Sequence, residues 1–240
     1  AVLAVVLYHA GVPGVSGGFV GVDMFFVVSG FLITGLLWRE AAGTGTVRLA
    51  PFYAARARRL LPAAAVVLVA TSIGAVALLP PLQARNVLGD AIASALYAGN
   101  YRFAIEGTDY LAADTPPSPL QHYWSLGVEE QFYLLWPALI IGVAWLLTRT
   151  GRGTRSATPY ALVLLAVAGG SLALSLAWTQ TMPPWAFFSL PTRAWELAVG
   201  GLVALTAARW RTLPPVCAAV VGWGGLVLIV VTCTQIRGAE

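Results

Sequence analysis

The chain alternates long apolar runs with short polar loops, and several runs reach the roughly 20 residues that a helix needs to cross a bilayer. Residues 1–12 read as the end of a helix, followed by a Gly/Pro/Ser turn through Gly18. Spanning helices are predicted at 19–38, 62–79, 123–147, 160–180, 193–208 and 216–234, with Pro62 in a first turn, where its missing N–H is tolerated. The expectation is an all-α, polytopic transmembrane helical bundle of about seven crossings, the first truncated. Residues 86–105 fit less well, because Asn86, Asp90, Asn100 and Arg102 interrupt the apolar pattern.

Loop charge orients this bundle. The loop 39–59 carries Arg39, Arg48, Arg56, Arg58 and Arg59 against Glu40, and 148–159 carries Arg149, Arg152 and Arg155. Both are cytoplasmic by the positive-inside rule, as is the turn holding Arg209 and Arg211. The loop 106–121 holds Glu106, Asp109 and Asp114 and no Arg, which places it outside. An even number of crossings must separate the two Arg-rich loops, and 62–79 with 123–147 suffice. Residues 86–105 are then an outer or re-entrant segment, tolerated where protein or a water-filled cavity satisfies its backbone.

Composition agrees with a membrane solvent: 58% of the 240 residues are hydrophobic and 10% charged, against roughly 25% charged in soluble domains. All basic residues are Arg, and the net charge of +4 sits in short loops, which reads as topology and anion contact and not as nucleic-acid binding. Cys217 and Cys233 share one apolar stretch and form no metal pattern. No internal repeat or cleavable signal peptide is evident. Residues 1–240 therefore read as a single transmembrane core, expected to be incomplete at both ends because Ala1 already lies in an apolar helix and the chain stops at Arg237-Gly-Ala-Glu240.

Ionisable groups at membrane depth are functional candidates, since placing them there is costly. His9 lies near the outer end of the first helix, where imidazole suits proton abstraction from a hydroxyl; a hydrogen-bonded packing role beside Tyr8 is the alternative. Helical rise puts His9, Asp23 and Glu129 roughly 5, 6 and 9 Å inside their outer helix ends, so the three are candidates for one layer. A carboxylate there would steady an imidazolium, or Glu129 and Glu130 would merely favour a helix N-terminus, a reading that suits Glu130 better. Arg56 and Arg59 form either a topology signal or a phosphate clamp. Arg193 and Glu196, spaced i,i+3, form either a structural pair or part of an acceptor site. Phe25-Phe-Val-Val-Ser-Gly30, Gly200-Gly201 and Gly224-Gly225 read as close helix packing. Tyr97, Tyr101, Tyr110, Trp185 and Phe187 are suited to stack on a sugar or to form an interfacial belt.

Five segments carry a resemblance: Val5-Val-Leu-Tyr-His9, Gly18 through Thr34, Phe52-Tyr-Ala-Ala-Arg-Ala-Arg-Arg-Leu-Leu-Pro62, Trp124 through Pro137, and Arg193-Ala-Trp-Glu-Leu-Ala-Val-Gly200. In this order, over about 200 residues, they resemble the acyltransferase-3 family of integral-membrane O-acyltransferases. The resemblance implies that His9 is the essential histidine, Arg56 and Arg59 the cytoplasmic Arg-x-x-Arg pair, and Glu129 the acid of Ser125-Leu-Gly-Val-Glu129. It implies acyl-CoA, commonly acetyl-CoA, as a cosubstrate with no permanently bound cofactor and no metal. The implied acceptor is a carbohydrate or other hydroxyl outside the cytoplasmic membrane. One departure is that the family's basic residue ten positions before the histidine would lie upstream of Ala1. The expected catalytic groups are His9 and Glu129, with CoA at Arg56 and Arg59 and the acceptor near Asp23, Arg193 and Glu196. A proton-coupled transporter, with His9, Asp23 and Glu129 as relay, is the alternative.

Overall fold

A computed structural model of the chain describes residues 1–107 and 117–236. Asp109, Tyr110, Asp114 and the segment 237–240 lie outside the described residues. The fold is an all-α bundle in the order α1 (Val2–His9), a 3₁₀ turn (Gly18–Val20), α2 (Gly21–Thr44), α3 (Leu49–Leu78), α4 (Pro81–Ala95), α5 (Gly99–Glu106), α6 (Tyr123–Arg149), α7 (Thr158–Thr181), α8 (Pro183–Phe188), α9 (Leu190–Leu205), α10 (Ala207–Arg211) and α11 (Pro215–Gln235). Five of these segments are long and apolar enough to cross a membrane: Gly18–Thr44, α3, α6, α7 and α11. The chain is a multi-pass membrane protein. The two other expected crossings are α1, with 8 residues, and α9, with 16.

The ambiguous stretch 86–105 is resolved by a break, not by a crossing. α4 ends at Ala95, Tyr97 takes a left-handed φ of 54°, and α5 starts at Gly99. Polar side chains satisfy this corner: buried Asn100 donates to the Phe188 carbonyl at 3.0 Å, while Gln131 donates to Asn100 Oδ1 and the Tyr97 carbonyl, each at 2.8 Å. Arg102 closes it with ion pairs to Asp90 at 2.7 Å and Glu106 at 2.8 Å. Of the residues that spoiled the apolar pattern, Asn100 thus bonds the corner to α6 and α8, and Asp90 with Arg102 ties α4 to α5.

Pro62 is not in a first turn. α3 begins at Leu49, carries its arginines on its opening turns and contains Pro62 in its interior. Thirty residues make a helix of roughly 45 Å, longer than the roughly 30 Å hydrocarbon core, so its Arg-bearing start extends beyond that core.

The centre of the bundle is the crossing of α2 on α9. A methyl built on Gly30 would overlap the Leu197 carbonyl oxygen and lie 2.8 Å from the Leu197 Cα, and one on Gly200 would overlap the Val27 carbonyl. Small residues here let two backbones touch, as close-packed membrane helices require. Gly201 faces Thr34 and Leu164, drawing in α7. Gly224 and Gly225 do not follow the expectation, since nothing among the described residues lies within 4 Å of a methyl on either. Next to the crossing, Trp136 on α6 donates its indole N–H to Thr34 at 2.9 Å and stacks on Phe132 at 5.8 Å. Cys217 is exposed and Cys233 buried.

Candidate active site

Two polar regions sit at different depths along α2. The outer one is built on Arg193, whose Nη1 contacts Asp23 and Glu196 at 2.7 Å each and whose Nε donates to the Phe187 carbonyl at 3.0 Å. The predicted i,i+3 pair therefore forms, with Asp23 as a third member. The guanidinium lies 5.0 Å from the Phe187 ring and 5.5 Å from the Trp124 ring. Glu196 is 1% exposed, and its Oε2 has no hydrogen-bond partner among the described residues. Such a buried guanidinium, paired and walled by aromatic faces, is fixed in orientation.

His9 ends α1, where its Nδ1 lies 2.9 Å from the Val5 carbonyl. A carbonyl only accepts, so Nδ1 carries the proton and Nε2 is the basic nitrogen. The side chain is exposed, and the Tyr8 ring meets it edge-on at 5.2 Å. His122, the residue before α6, lies within electrostatic reach of His9. Burial lowers the His122 pKa below its ordinary value, a hydrogen bond to the Pro119 backbone opposes this, and the charge of His9 lowers it further.

The inner region begins six residues further along α2, roughly 9 Å below Asp23. Ser29 there donates to Glu129 Oε1, and the Tyr133 hydroxyl, one turn along α6, lies 3.4 Å from the same oxygen. Glu129 is 4% exposed. The structure thus separates two groups expected in one layer: Asp23 joins Arg193, whereas Glu129 is held deeper by Ser29 and Tyr133. Helix-end arithmetic placed them together because it took α6 and α2 to start at equal depth.

Ser29 and Tyr133 also line a cavity of about 370 Å³ that extends along α2 and α3 past Arg56 and Arg59 to Glu40 and Arg48. Leu32, Ile33, Leu36 and Phe52 make its middle apolar. Arg59 is exposed, and Arg48 pairs with Glu40 at 2.9 Å. Arg56 is different: it pairs with Glu130, its side chain is 11% exposed, and its Cζ lies 3.7 Å over the Tyr133 ring. Glu130 is therefore neither a solvated helix terminus nor a bystander. It is the counter-ion that fixes Arg56 in the cavity wall.

Sequence reasoning missed Ser29, Tyr133, Glu130 and His122 as polar participants. A serine in an apolar run reads as small, and a tyrosine among leucines reads as interfacial. Only the i,i+4 spacing of Glu129 and Tyr133 signalled a shared face.

Along α2 the chain thus places an arginine-lined cavity toward one end and a buried arginine–carboxylate cluster toward the other. Residues 1–236 match the model of the acyltransferase-3 family, described as an acyltransferase domain. The chain belongs to this family. It is 37% identical over 207 residues to peptidoglycan O-acetyltransferase OatA of Listeria monocytogenes, covering 83% of this chain and 31% of that protein. It is 35% identical over 206 residues to putative peptidoglycan O-acetyltransferase YrhL of Bacillus subtilis, covering 85% and 31%. A putative O-acetyltransferase of Staphylococcus aureus is 40% identical over 144 residues, covering 59% and 23%. The chain thus spans about a third of the length of these first two relatives. No solved structure matches it.

Proposed function

We propose that the protein transfers an acyl group, acetyl in the simplest case, from cytoplasmic acyl-CoA to a hydroxyl of a cell-envelope glycan beyond the cytoplasmic membrane. The observation that carries this reading is the cavity. Its lining runs from the Glu40–Arg48 pair past apolar Leu32, Ile33, Leu36 and Phe52 to Arg56, which lies beside the Ser29–Tyr133–Glu129 group, so it offers cationic, apolar and hydroxyl–carboxylate surfaces to a ligand with phosphates, an uncharged arm and a reactive terminus.

Exposed Arg59 meets the phosphates, with guanidinium geometry suited to their oxygens. Arg56, held by Glu130 and Tyr133, keeps the wall positive and in place. His9 takes the proton of the acceptor hydroxyl through Nε2, and the outer cluster of Asp23, Arg193 and Glu196 orients the acceptor, with Phe187 and Trp124 as flat surfaces for a sugar ring. Glu129 acts at the thioester end of the cavity. The names of the relatives favour peptidoglycan as acceptor.

The test is mass spectrometry of envelope glycans from matched deletion and complemented cells, together with CoA release by purified protein given acetyl-CoA and soluble peptidoglycan fragments. Acetyl esters that vanish on deletion, with matching CoA release, are expected. Proton-coupled solute flux in proteoliposomes without CoA, and no change in glycan acetylation, would replace this reading with a carrier.

A further inference from the structure

The inner end of the cavity holds a group that the acyl-transfer scheme leaves unused. Ser29 borders the cavity, and its O–H is committed to Glu129, which leaves the oxygen lone pairs for a ligand in the cavity. Glu129 is fixed from a second direction by the Tyr133 hydroxyl. Gly30, the next residue, is pressed against the Leu197 backbone, so the Ser29 Cα is anchored. A hydroxyl in front, a carboxylate behind it and a third group orienting that carboxylate is the arrangement that activates a serine as nucleophile. Ser29 also lies roughly 9 Å short of Asp23 along α2, so a donor seated in the cavity would stop below the acceptor layer.

Resting on the reading that acyl-CoA occupies this cavity, we propose that Ser29 is the first acceptor of the acyl group. Ser29 Oγ attacks the thioester carbonyl carbon while its proton passes to Glu129. The carbon–sulfur bond breaks, its electron pair leaves on the CoA sulfur, and that thiolate takes the proton from Glu129. The products are O-acyl-Ser29 and CoA thiol. The acceptor hydroxyl, entering from the outer cluster, then attacks the ester carbonyl, the bond to Ser29 Oγ breaks, and the proton released by the acceptor restores the serine hydroxyl. Glu129 takes the serine proton in the first half of the cycle.

The experiment is rapid-quench labelling of the membrane-embedded protein with radiolabelled acetyl-CoA, without acceptor, followed by peptide mapping. The expected result is one acetyl group on the peptide containing Ser29, discharged when soluble peptidoglycan fragments are added. Ser29→Ala abolishes the label and lowers turnover by at least about a hundredfold, as loss of a nucleophile does, while the KM for acetyl-CoA stays within about twofold because the arginines are untouched. Ser29→Cys retains a nucleophile and carries the label as a thioester, which hydroxylamine releases faster than the serine ester. Label on His9, rapid turnover without acyl-enzyme, or undiminished turnover in Ser29→Ala overturns the proposal while leaving the donor reading intact. Failure of the unsubstituted protein to consume acetyl-CoA overturns the donor reading and this inference with it.

Discussion

Replacing Gly30 by Ala perturbs the crossing on which both polar regions depend. The added methyl would sit 2.8 Å from the Leu197 Cα and overlap the adjoining carbonyl oxygen, whereas ordinary contact begins near 3.4 Å. The obstacle is backbone, so no side chain can rotate away, and α2 must retreat from α9 to clear the Leu197 carbonyl. Overpacking of this kind costs about 1–3 kcal/mol. For a chain of this size each kcal/mol lowers the melting temperature by about 2–4 °C, so a drop of about 2–12 °C is expected. Ser29 moves with Gly30 and loses its alignment with Glu129, so turnover should fall beyond the loss of folded protein. Gly224→Ala is the matched control. Among the described residues nothing lies within 4 Å of its methyl, and removing an interior helical glycine is neutral or stabilising by up to about 1 kcal/mol. Thermal melts in detergent, with activity measured on the folded fraction, compare the two. Equal melting temperatures and equal turnover for Gly30→Ala and Gly224→Ala would refute the claim that this crossing is set by backbone contact.

Three further outcomes follow from single contacts. Arg56→Ala leaves half-buried Glu130 without its cation and costs about 1–3 kcal/mol, whereas Arg59→Ala leaves the melting temperature unchanged and raises the KM for acetyl-CoA; parallel melts and kinetics separate the two roles. Thr34→Val leaves the buried Trp136 N–H without its acceptor and costs about 1–3 kcal/mol, read from the same melts. His122 has a lowered pKa in the folded state, so the unfolded chain binds more protons between that value and about 6.5. Stability therefore falls as pH drops below about 6.5, and His122→Gln removes this component from a pH series of melts.

The membrane class, the helical bundle and the motif arginines were legible in the sequence because each is local: an apolar run, a loop charge or a spacing. Gly30 and Gly200 were legible as packing residues because a small residue in a membrane helix has few other uses. The i,i+3 pairing of Arg193 and Glu196 was legible for the same reason, and Asp23 as its third member was not. That contact spans 170 residues and depends on how α2 and α9 are registered. The same holds for Ser29 with Glu129, 100 residues apart, and for Arg56 with Glu130, 74 apart. Pro62 misled because the Arg-rich segment before it was read as a loop, whereas it continues the helix at the membrane surface. The break at Tyr97 was hidden because a left-handed tyrosine is rare and has no sequence signature.

In the proposed reaction the donor enters from the side of the cavity and the acyl group leaves on the His9 side. Sealed inside-out membrane vesicles with soluble peptidoglycan fragments trapped in the lumen and radiolabelled acetyl-CoA added outside test it directly. Acetylated fragments in the lumen, free CoA outside, and neither above background with His9→Ala at equal protein level are expected. Acetylated fragments formed only when acceptor and donor are on the same side, or undiminished luminal acetylation with His9→Ala, would contradict it.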